Sequence, residues 1–80
     1  PEQQVLDTLG AEELTRMILD LREPYKTPCR LVLLEQHTMA EAARLCGRPE
    51  KTVNAQIYRA KKMLAEKIRQ ERRSEDGIVS

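Results

Sequence analysis

The twelve residues from Thr38 to Pro49 constrain this chain more than any other stretch. Thr38-Met39-Ala40-Glu41 has the form of a capping box. In that motif the threonine hydroxyl accepts from the backbone N–H three residues on, and the glutamate carboxylate accepts from the N–H of the threonine. Ala42, Ala43, Leu45 and Cys46 continue as a short helix, and Gly47 supplies the positive φ that helix C-termini commonly need. Arg48-Pro49-Glu50 then opens a second helix. Pro49 costs nothing at the start, where its missing N–H has no partner, and Glu50 lies at the positive end of the helix dipole. Two helices joined by a tight glycine turn form a helix-turn-helix. The small Ala43 permits a close crossing, and Val53 returns the second helix to the core.

The flanking sequence is helical as well. Val53, Ile57, Ala60, Leu64 and Ile68 recur at helical spacing and define the core stripe of a helix over about 50–70. At 100° per residue, Lys51, Ala55, Tyr58, Arg59 and Lys62 take the opposite face. Upstream, Val5, Leu6 and Leu9, then Leu14, Met17, Ile18 and Leu21, form a helical pattern weakened at Gly10 and stopped by Arg22-Glu23-Pro24. A further helix is expected from Thr27 as N-cap, with Pro28 at its first position, to about Gln36. Its consecutive Leu31, Val32, Leu33 and Leu34 point all round the axis, which predicts a central helix or one partly facing a partner. The reading is all-α: a small domain of four helices with a C-terminal helix-turn-helix. Residues 1–9 are expected to be a linker end or an extra helical turn, 10–70 the domain, and 71–80 a flexible tail.

Charge is unevenly spread in a chain of 80 residues and net +1. Residues 1–47 hold five Lys/Arg against eight Asp/Glu, whereas 48–73 hold nine against three. The second half is therefore suited to an anionic partner. Cys29 and Cys46 are two separate thiols with no CxxC pair, which excludes a disulfide scaffold and fits a reducing, cytoplasmic setting. No stretch approaches the ~18 apolar residues of a membrane span. There are no paired carboxylates, no nucleophile–base pair and no phosphate-cradling loop, so the chain reads as a non-enzyme without metal or cofactor. His37 reads as a loop residue.

Leu21-Arg22-Glu23-Pro24-Tyr25-Lys26-Thr27 and the apolar run 31–34 resemble the start of region 4 in sigma factors of the extracytoplasmic-function type. Glu41-Ala42-Ala43, Gly47, Pro49, Thr52-Val53 and Ile57-Tyr58-Arg59-Ala60-Lys61 continue the likeness, which spans about residues 11–68. The resemblance implies a cytoplasmic, monomeric domain for transcription initiation. Such a domain binds the minus-35 promoter element while docked on the β flap of RNA polymerase core, and an anti-sigma factor is a further partner of this type. Pro1 to Val5 are then expected to belong to a linker from region 2.

The resemblance also implies site residues. Lys51, Asn54, Ala55, Tyr58 and Arg59 are expected to touch bases, and Thr52, Gln56 and Lys62 the DNA backbone. Leu31 and Leu34 are expected on a partner surface. The chain departs from the family pattern at Asn54 and Gln56, where basic residues are usual, at Ala55, where Ser is usual, and at Arg48, where the turn normally carries Ile or Val. Asn and Gln can pair with adenine and an Ala methyl can touch thymine, so an unusual recognition sequence is expected. Fewer basic residues also predict weak intrinsic affinity. Two other readings stay open: a response-regulator-type output domain, which would dimerise on DNA, and a helix-turn-helix module used mainly for protein contact.

Overall fold

A computed structural model describes the backbone of residues 2–79 and the side chains of residues 2–73. Helix α1 spans Glu2–Asp7 and α2 spans Ala11–Leu19. Helix α3, Lys26–Cys29, runs directly into a π-helical turn, Arg30–Leu34. Helix α4 covers Met39–Cys46 and α5 covers Glu50–Val79. No strand occurs among the described residues, and none of their helices is long and apolar enough to cross a membrane.

Helix α5 is the axis of the molecule. Thirty residues make a rod of about 45 Å at 1.5 Å per residue, which accounts for most of the 49 Å long dimension. Its expected core stripe is buried throughout, from Val53 at 0 % exposure to Ile68 at 3 %. Ala65 joins it at 0 %. The other helices cover this stripe with Leu6, Ile18, Cys29, Leu31, Ala42 and Ala43. Burial pushes the Cys29 thiol up to about 11, so at neutral pH it stays protonated and packs as a small apolar group. Cys46 is half-buried.

Four boundaries differ from expectation. Beyond the break at Gly10, α2 ends at Leu19, well before the expected stop at Pro24. Thr27 is not an N-cap. The helix begins at Lys26, and the Glu23 carboxylate caps it by accepting from the Thr27 N–H at 2.7 Å and from the Thr27 hydroxyl. A glutamate four residues back reaches this N–H where the shorter threonine side chain is already inside the turn. These bonds, the Thr27 hydroxyl first, hold the Glu23 carboxyl below its ordinary value. Third, the helix over 31–34 is widened: the Glu35 N–H donates to the Arg30 carbonyl at 3.0 Å, a five-residue step. A wider turn rotates less per residue, so more of the apolar run stays on the inner side. Leu31 is buried, and Val32, Leu33 and Leu34 are half-buried against the core. Fourth, α5 continues to Val79 rather than ending near residue 70. The expectation of a flexible tail falls largely on side chains outside the described residues.

Candidate nucleic-acid interface

The turn between α4 and α5 is fixed at both ends by local chemistry. Thr38 has the extended backbone of an N-cap, its hydroxyl accepts from the Glu41 N–H at 3.1 Å, and Glu41 accepts from the Thr38 N–H at 2.8 Å. The Thr38 N–H bonded to its carboxylate, and then the adjacent Thr38 side chain, hold the Glu41 carboxyl below the usual range. At the other end Gly47 sits at φ 67°, and the N–H groups of Gly47 and Arg48 return to the Arg44 and Ala43 carbonyls. This closes the helix in the left-handed C-terminal motif. Ala42 and Ala43, at 0 % and 8 % exposure, then allow α4 to lie close against α5.

That packing decides which face of α5 meets solvent. Val53, Ile57 and Ala60 point inward, and Lys51, Thr52, Asn54, Ala55, Tyr58, Arg59 and Lys62 are all exposed. The exposed residues share one broad face whose near edge borders a cleft of about 350 Å³. Lys51, Thr52, Ala55, Gln56 and Arg59 form one wall of the cleft, and Pro24 and Tyr25 form the other. Two cations and the Thr52 hydroxyl therefore line the α5 wall of the cleft. The Lys62 ammonium lies 4.8 Å from the Tyr58 ring centroid, one turn away along the helix. This cation–π contact leaves the Tyr58 ring 59 % exposed with a positive charge beside it.

Two residues behave differently from expectation. Gln56 is half-buried, and its Oε1 accepts from Arg48 Nη1 at 3.0 Å, so its side chain is engaged within the protein. Leu31, expected on a partner surface, is a core residue at 5 % exposure; only the half-buried Leu34 keeps surface to offer. The turn that carries them packs against α2, α3 and α4, and Leu31 belongs to the core cluster they form. Lys61 turns away from the exposed face and donates to Gln3 Oε1 of α1 at 2.8 Å.

The cleft wall at Pro24 and Tyr25 and the bond made by Arg48 escaped the sequence reading. The first depends on a contact between distant elements, which periodicity does not show. The second had a signal: an arginine standing where the turn ordinarily carries an aliphatic residue. A half-buried guanidinium needs acceptors, and Arg48 finds them in the Pro24 carbonyl and Gln56, both at 3.0 Å.

The family model described as "Sigma-70, region 4" matches residues 11–64, which takes in α2 to α4 and the exposed face of α5. No curated protein and no solved structure matches the chain.

Proposed function

Because the chain belongs to the sigma-70 region 4 family of DNA-binding helix-turn-helix domains, we propose that it reads the minus-35 promoter element while docked on RNA polymerase core. The observation that carries this reading is the exposed face of α5. Lys51, Asn54, Ala55, Tyr58 and Arg59 are exposed on a helix whose entry is fixed by the capped turn. The major groove is wide enough for one helix, and bases are distinguished there by donors, acceptors and the thymine methyl. Arg59 and Lys51 supply the donors suited to guanine, Asn54 the pairing suited to adenine, and Ala55 the contact suited to thymine. Thr52 and Lys62 flank the row and meet phosphates. Leu34 contributes to the surface that docks on polymerase.

The test is promoter-dependent transcription by polymerase carrying the sigma factor that contains this chain, on a randomised upstream library. The wild type is expected to enrich one motif, and Arg59→Ala to lose or change it. A second reading has one observation in its favour. Asn54 and the Arg48-bound Gln56 leave the face with fewer cations than the family pattern has, as expected of a module kept for protein contact. In that case transcription proceeds with no enriched motif, Arg59→Ala is silent, and substitution of Leu34 is damaging.

A further inference from the structure

Arg48 is one residue past the left-handed Gly47 and belongs to neither helix. Its Nη1 donates both to the Pro24 carbonyl, in the connection between α2 and α3, and to Gln56 Oε1, in the second turn of α5. These acceptors lie on the two walls of the cleft that borders the exposed face. A guanidinium is planar and its donors have fixed directions, so one group bonded to both walls fixes their separation and the rotation of α5 about its axis. Gln56 lies 60° from Val53 around the helix, at the edge of the buried stripe, where a small rotation moves every side chain of the reading face.

We propose that Arg48 is a positioning residue for DNA reading. Through Gln56 and the Pro24 carbonyl it sets the angle at which Lys51, Ala55 and Arg59 face the groove, and it withdraws Gln56 from the DNA. The proposal rests on the reading of α5 as the DNA-contacting helix. It assigns Gln56 to the protein's own framework, although its place in the recognition helix suggests a phosphate contact. It also gives a physical reason for a polar residue in a turn position that the family fills with an aliphatic one. An aliphatic side chain there can fill space, but it cannot fix a rotation by directed bonds.

The experiment is the same library selection with polymerase-bound protein, joined to binding measured against salt concentration. The variants are Arg48→Ala, Gln56→Ala, their double, and Gln56→Glu, with Arg59→Ala as the control. Arg48→Ala and Gln56→Ala are each expected to weaken binding to the selected motif about five- to tenfold and to broaden the enriched motif. The double variant is expected to be no worse than either single one, because both remove the same link. The salt slope is expected to stay unchanged, since no phosphate contact is lost. Gln56→Glu keeps the acceptor and is expected to bind within about twofold of wild type, with the same motif.

A carboxylate placed against a phosphate does the opposite. Loss of tenfold or more with Gln56→Glu, or a salt slope lower by about one in Arg48→Ala, overturns the proposal and makes these residues DNA contacts. So do multiplying losses in the double variant. If Arg59→Ala also leaves the motif intact, the reading of α5 itself fails and the proposal fails with it. If Arg59→Ala abolishes the motif, DNA reading stands and only the role of Arg48 is rejected.

Discussion

Helix α5 is covered near its two ends by different kinds of partner. Toward its N-terminus it meets α4 through Ala42 and Ala43, buried at 0 % and 8 %, and the connecting turn carries a capping box, a left-handed glycine and the Arg48 link. Further along it meets α1, a six-residue helix with Leu6 as its one buried side chain, steadied by half-buried Val5 and Leu9. Exposed polar bonds from Lys61 to Gln3 and from Arg72 to Thr8 complete that second junction. A helix of six residues is unstable alone in water, so α1 owes its order to docking. The family match, residues 11–64, contains the first junction and leaves α1 outside. One junction is thus specified many times over by local sequence, and the other has one fully buried side chain, Leu6, at its centre.

The difference predicts a global response on one side and a local one on the other. Leu64, 2 % exposed on the shared stripe, belongs to the core common to both junctions. Leu64→Ala is expected to cost about 2–5 kcal/mol in urea-induced unfolding, enough to unfold much of a domain this small. Leu6→Ala removes a side chain of the same size, but α1 can detach, so its cost is capped by the docking energy of α1 and is expected to be the smaller of the two. Amide exchange is expected to speed up over residues 2–9 and stay slow over 53–60; equal acceleration in both segments would break the comparison.

Smaller effects sharpen it. A Cβ added at Gly47 meets nothing within 4 Å, so Gly47→Ala is penalised only by the φ of +67°. The expected loss is about 1 kcal/mol by chemical denaturation. A neutral result would show that the turn is held by its neighbours rather than by its own backbone. Smallest is the acid response. Glu41 and Glu23 have folded-state pKa values below the ordinary one, through their bonds to Thr38 and Thr27. The stability they add is complete above the unfolded value of about 4.3 and is lost as pH falls through the lower folded value. Denaturation midpoints at pH 7 and pH 3 are expected to differ less in Glu41→Gln than in wild type, because glutamine accepts the same N–H without titrating.

What was legible in the sequence follows the same division. The capping box, Gly47 and the α5 stripe are local patterns, and each is present at the residues that spell it. Thr27 has a residue type that often caps helices, but it lies inside α3, and the longer Glu23 caps from outside by accepting from the Thr27 N–H. The π turn at Arg30–Leu34 was hidden because four apolar residues in a row fit a buried helix of any pitch. At the interface, the sequence separated the inward from the outward residues of α5, and the structure adds which outward residues are already engaged. Gln56 and Lys61 differ from Asn54 and Lys62 only through partners more than one helix away in the chain or across the turn.

The unbroken course of α5 from Glu50 to Val79 makes it a lever. Its near end crosses α4, and it carries the exposed Lys51, Ala55 and Arg59 there. The long arm reaches about 30 Å beyond Ala60 at 1.5 Å per residue, so a tilt of about 10° at the pivot swings its far end by about 5 Å. Motion is multiplied outward and force is multiplied inward.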